Sequence, residues 1–171
     1  MPDANLLITF DPAHSKKAED EVRTLLKQAG ENAKFLPCKI EGVFLLRTKK
    51  EPRGLVKQLR KLGQAKNVFV NTFRWTPIDK WVKTDVKSLG KALKDFDKKM
   101  DPAKSWKLDL AKRRFDKASA TELVLKLTEN INKPKVDLEN PDVIIKVEVM
   151  GSKTGLALLA SDEILDTTAL K

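Results

Sequence analysis

The stretch Lys135-Val136-Asp137-Leu138-Glu139-Asn140-Pro141-Asp142, running into Val143-Ile144-Ile145-Lys146-Val147-Glu148-Val149, reads as a short strand, a turn and a longer strand. Asn140-Pro141-Asp142 is turn chemistry, because proline presets φ and the flanking Asn and Asp side chains bond to local backbone. Beyond it the residues alternate. Val143, Ile145, Val147 and Val149 fall on one face and Ile144, Lys146, Glu148 and Met150 on the other, the period-two pattern of a half-buried strand. Gly151-Ser152 then supplies a two-residue hairpin turn into Lys153–Ala160, glycine taking the positive φ of a type II′ turn.

Upstream, residues 104–115 alternate in the same way. Trp106, Leu108, Leu110, Lys112 and Arg114 share one face, while Lys107, Asp109, Ala111, Arg113 and Phe115 share the other. Ser119-Ala120-Thr121-Glu122 is a capping box, and Leu123, Leu127 and Ile131 give the helix after it a buried stripe. Lys133-Pro134 stops that helix.

Val136-Asp137-Leu138, with Asn140-Pro141-Asp142 and the apolar strand beyond, resembles the V-D-L-x-N-P-D signature of the THUMP domain. That domain is the RNA-binding module of thiouridine synthases, RNA methylases and pseudouridine synthases. Trp106–Phe115 looks like the family's basic strand and Ser119–Ile131 like the helix between, in the family's order. The likeness covers roughly the last two-fifths of the chain.

The first half has its own pattern. Asn5–Phe10 reads as a strand. Ala18, Val22, Leu25, Leu26 and Ala29 mark a helix stopped at Gly30, and Ala33–Ile40 and Val43–Thr48 read as a hairpin around Glu41-Gly42. Pro52 opens a second helix through Leu55, Leu59 and Leu62 that Gly63 closes, and Val68, Val70 and Phe73 mark a fourth strand. The order βαββαβ predicts a ferredoxin-like unit. The fold expected is therefore α+β: a ferredoxin-like domain over 1–75, an α/β THUMP domain over 76–162, and a C-terminal tail over 163–171. Trp75-Thr76-Pro77 is the expected seam, with Trp75 packing against the neighbouring domain. Val86, Leu89, Leu93, Phe96 and Met100 mark a helix capped by Thr84, and Lys87, Lys91, Lys94, Lys98 and Lys99 with Asp95 and Asp97 give it a mixed outer face that leans basic.

The 171 residues include 41% hydrophobic and 34% charged, a globular composition, with a formal net charge of +10 that predicts an anionic partner. No apolar run is long enough for a membrane span and Met1–Phe10 does not read as a signal peptide, so a cytoplasmic protein with no membrane partner is expected. A single Cys excludes an internal disulfide, and one Cys with one His does not make a zinc site. With no Walker A loop and no GxGxxG, no cofactor and no metal are expected.

The densest basic cluster is Lys104, Lys107, Lys112, Arg113, Arg114 and Lys117, set against Asp109 and Asp116. These are the expected RNA contacts, arginine being suited to bidentate phosphate binding and stacking. As a class, THUMP modules grip the acceptor end of tRNA beside an N-terminal ferredoxin-like domain. The resemblance therefore implies tRNA as partner, through its 3′ end, and a groove between the halves with Arg74, Lys80, Lys83 and Lys153 as further candidates. No catalytic residue is assigned: Cys38 reads as a small buried hydrophobe and His14 as a helix-start residue. The two units fill the chain, and neither an N-P-P-[FY] methylase motif nor an S-G-G-x-D-S loop occurs. The chain thus resembles a free-standing, non-enzymatic THUMP adaptor that presents tRNA to a separate modifying enzyme, a cytidine acetyltransferase forming N4-acetylcytidine. A structural ribonucleoprotein or ribosome-assembly factor and a small RNA-modifying enzyme are the rival readings.

Overall fold

A computed structural model describes residues 2–170. The elements run β1 (Leu6–Phe10), α1 (Ser15–Gln28), β2 (Lys34–Leu36), β3 (Val43–Arg47), α2 (Pro52–Ala65), β4 (Thr72–Pro77), β5 (Lys80–Lys83), α3 (Val86–Lys99), β6 (Trp106–Arg113), α4 (Ala120–Thr128), β7 (Val143–Met150), β8 (Lys153–Ala160) and β9 (Leu165–Asp166). The architecture is mixed α+β with two sheets. Contacts divide the chain into one unit of Asp3–Ile78 joined by Asp162 onward, and a second of Asp79–Ser161. Among the described residues no helix is long and apolar enough to cross a membrane.

The first unit carries a sheet in the order β2-β3-β1-β4-β9, antiparallel throughout. Leu6, Ile8, Leu46 and Trp75 from its strands and Val22, Leu25, Leu55 and Leu59 from α1 and α2 form one buried cluster. Four readings are corrected here. The hairpin has a long connection, because β2 ends at Leu36 and Gly42, at φ 77°, takes up the turn back into β3. Gly63 does not end α2, which runs on to Ala65; it is glycine because a Cβ there would sit 2.5 Å from the Phe69 ring. The fourth strand begins at Thr72, since the Glu21 carboxylate gathers the N–H groups of Val70, Asn71 and Thr72 and holds that approach as a turn. Trp75 is wholly buried in this unit's own core, its ring edge-on to Phe69 and its Nε1–H donating to Thr72 Oγ1, so the seam lies after Ile78.

The C-terminal segment is no separate tail. Leu165 is fully buried in the first unit's cluster, β9 pairs with β4, and Arg60 on α2 donates to the carbonyls of Asp162 and Ile164. Apolar burial and backbone pairing together hold it down.

In the second unit the sheet order is β5-β8-β7-β6, with β6 and β7 parallel, β8 antiparallel to β7 and β5 antiparallel to β8. Leu89, Leu93 and Phe96 of α3 and Leu123 and Leu127 of α4 cover the face formed by Trp106, Ile145, Val147, Val149 and Leu156. The stretch before β7 is mostly loop. Only Val136 bridges to Trp106, while Asp137 Oδ1 accepts from the N–H groups of Glu139 and Asn140 and curls the chain away from strand geometry. Asp142 then ties the start of β7 to β6: its Oδ2 accepts from Ser105 N–H and its own N–H donates to Ser105 Oγ. The cap of α3 is Asp85, not Thr84, whose hydroxyl instead meets that of Thr154 at 2.7 Å.

Candidate nucleic-acid interface

Strands β5, β6 and β7 run in one direction, so their C-terminal ends and the start of β8 share one edge of the second sheet. Three connections meet there: Lys83-Thr84-Asp85 leading into α3, Arg114–Lys117 leading into α4, and the Gly151-Ser152 hairpin ending at Lys153. Together they line a hollow of about 410 Å³. Four cations, Lys83, Arg114, Lys117 and Lys153, face two carboxylates, Asp85 and Asp116. The Ser88 backbone N–H, then its hydroxyl, holds the Asp85 carboxyl below its ordinary range, so Asp85 is a fixed negative charge at one side of the hollow.

Local backbone chemistry builds this edge. Gly151 has φ 65° and Ser152 has no positive φ, as the expected type II′ hairpin requires. Arg114 has φ 53°, a left-handed value unusual for a residue with a Cβ. It breaks the alternation read from the sequence: Phe115, half-buried, packs against the core cluster and Arg114 lies exposed in the hollow's wall. Lys112 Nζ donates to the Phe115 carbonyl at 2.8 Å and ties the loop to the end of β6.

Arg113 is held differently. Its Nη1 donates to Glu148 Oε2 at 2.7 Å, while Glu148 Oε1 and Asp109 Oδ2 each stand 3.2 Å from Lys146 Nζ. Lys146 and Glu148 are only 1% and 2% exposed, so the polar face of β7 is a buried charge network rather than a half-solvated surface. Hydrophobic periodicity does not reveal it. The pairing of Lys146 with Asp109 across parallel strands appears only once the register is known.

The other candidates lie elsewhere. Lys107 sits at the start of β6 and Lys104 two residues before it, about 20 Å or more from the hollow at ~3.3 Å per strand residue. Lys80 opens β5, 3.7 Å from Asp95 and over the Phe96 ring. Arg74 belongs to the first unit, opposite Asp166 on β9 with Nε 3.9 Å from its carboxylate. Also in that unit, Cys38 lies in the loop after β2 with Sγ 3.9 Å from the Ile40 carbonyl, and His14 Nε2 stands 4.0 Å from Asp11.

Residues 83–159, which span every lining residue of the hollow, match the THUMP domain family. No curated protein matches the chain. Among solved structures it is similar to PH1313 from Pyrococcus horikoshii Ot3, with TM-score 0.66 and 14% identity, covering 91% of this chain and 54% of that one. It is also similar to TrmN from Thermus thermophilus, with TM-score 0.58 and 16% identity over 90% and 44% of the two chains. A third is a 4-thiouridine synthetase in complex with RNA and bound ATP, at TM-score 0.51 and 18% identity over 96% and 42%. At these identities the likeness is one of fold, and the chain spans about half the length of these proteins or less.

Proposed function

We propose that this protein is a tRNA-binding adaptor that holds the acceptor end and presents the tRNA to a separate modifying enzyme, a cytidine acetyltransferase forming N4-acetylcytidine. The observation that carries this is the convergence of Lys83, Arg114, Lys117 and Lys153 from three connections on one hollow of the THUMP domain. Such a site neutralises phosphates at the turn of a strand, and the Arg114 guanidinium offers a planar donor set for a phosphate or a face for a terminal base. A solved neighbour of the same fold is an RNA complex, which supports RNA as the ligand class. We read the first unit, with its βαββαβ order and antiparallel β2-β3-β1-β4 core, as ferredoxin-like and as a second contributor to tRNA recognition. In this reading the protein adds binding energy and effective concentration, and bond chemistry belongs to the partner.

The test is tRNA affinity at two salt concentrations, comparing intact tRNA with tRNA trimmed of its single-stranded 3′ end. A large loss on trimming is expected. Equal affinity for both, with steep salt dependence, would reduce the hollow to a general basic surface.

A further inference from the structure

Helix α3 starts at the edge of the hollow, and its outward face bears Lys87, Lys91, Lys94 and Lys98, all exposed. At 100° per residue these four fall within about 60° of arc, opposite the buried Leu89, Leu93 and Phe96. The row is about 16 Å long at ~1.5 Å rise per residue. Lysine outnumbers acid along it. The acids within this helix, Asp95 and Asp97, lie off the row and are engaged by Lys80 at 3.7 Å and Lys133 at 3.1 Å. Asp85, the N-cap, accepts from Ser88. Lysines three and four apart repel one another, and an ordinary solvated helix face relieves this with glutamates at the same spacing. Here the acids at that spacing, Asp95 (four after Lys91 and three before Lys98) and Asp97 (three after Lys94), are paired with Lys80 and Lys133 from other elements.

We infer that the α3 lysine row binds the phosphate backbone of the double-stranded part of the RNA whose single-stranded end occupies the hollow. This rests on the function proposed above and extends it from a terminal pocket to a stem. Continuity is the argument: the row begins four residues after Lys83, which lines the hollow, so one strand can leave the hollow and meet a straight line of ammonium groups. The row carries no planar or aromatic group, so the contact is with backbone charge and not with base edges.

The experiment uses the full chain with two probes, a short blunt RNA duplex and the same duplex with a single-stranded 3′ overhang, each titrated over a range of salt. The variant Lys91→Ala/Lys94→Ala/Lys98→Ala should weaken binding to both probes and lower the salt slope by up to about 2.7, at about 0.9 per duplex phosphate contact. The corresponding Lys→Arg triple variant should retain affinity and slope, which separates charge from helix stability. A pocket variant, Lys117→Ala/Lys153→Ala, should weaken the overhang probe preferentially. Unchanged blunt-duplex affinity and slope in the alanine variant overturn the α3 assignment while leaving the hollow intact. Failure of the unaltered protein to bind either RNA overturns both readings. Loss of binding to phosphatidylserine vesicles without loss on RNA gives the row to a membrane surface instead.

Discussion

Arg113 and Glu148 meet at 2.7 Å across the parallel pair β6 and β7, and Glu148 is buried while Arg113 keeps a quarter of its side-chain surface. The arginine that sequence places at the centre of the basic cluster is thus tethered to a buried carboxylate, and the next residue, Arg114, is the one that lines the hollow. Replacing Glu148 with alanine leaves Lys146 buried with the Asp109 carboxylate, 3.2 Å away, to balance its charge. Loss of about 3–5 kcal/mol is expected, read as a lower urea midpoint, with Glu148→Gln less severe.

Arg113 and Arg114 should separate under mutation. Arg113→Ala is expected to lower stability and to leave most of the RNA salt slope in place. Arg114→Ala should flatten the slope by up to about 0.9 for a lost duplex contact, or about 0.7 for a single strand. Equal slope losses from the two would contradict the different roles.

Backbone strain gives Arg114 a second signature. At φ 53° a side chain with a Cβ costs about 1–2 kcal/mol, which glycine relieves at some cost in chain entropy. Arg114→Gly should therefore hold or raise stability by up to about 1 kcal/mol while weakening RNA binding. Thermal unfolding and RNA titration of one preparation check the opposite signs.

Two glycines of α2 offer a control on packing against propensity. A Cβ at Gly63 would lie 2.5 Å from Phe69 and 2.8 Å from Leu170, whereas one at Gly54 meets nothing within 4 Å. Gly63→Ala should destabilise by about 1–3 kcal/mol despite alanine's better helix propensity. Gly54→Ala should stabilise by up to about 1 kcal/mol, measured by denaturant unfolding.

Asp97 makes part of the second unit's stability pH-dependent. Burial pushes its carboxyl up, but the Asn132 N–H and the Lys133 ammonium outweigh it and hold the folded value below the ordinary 3.8. The ionised form therefore stabilises the fold above that ordinary value, and the contribution fades as pH falls through the lowered one. Asp97→Asn should reduce stability at neutral pH and flatten its decline in acid, as followed by unfolding midpoints from neutral pH to below pH ~3.

Much of this was legible in the residues because periodicity reports burial. Val143, Ile145, Val147 and Val149 do face the core, and Gly151-Ser152 does turn the hairpin. The sequence does not disclose where a polar side chain competes for backbone. Glu21 and Asp137 each capture N–H groups and replace expected strand with turn or loop. Nor does local pattern reveal partners distant in sequence, so Lys146 with Asp109 and Leu165 with the first core were hidden. Among the site candidates, Lys83, Arg114, Lys117 and Lys153 converge because three strands end at one edge, whereas Lys104 and Lys107 share the cluster in sequence but lie at the other end of β6.

The return of Leu165 to the first core makes the second unit an insertion between Ile78 and Asp162. During synthesis the inserted domain has all its strands once Ala160 has emerged, but the sheet begun at Leu6 still lacks its last member. The unit started first is finished last, and until then β4 presents an open edge on the nascent chain.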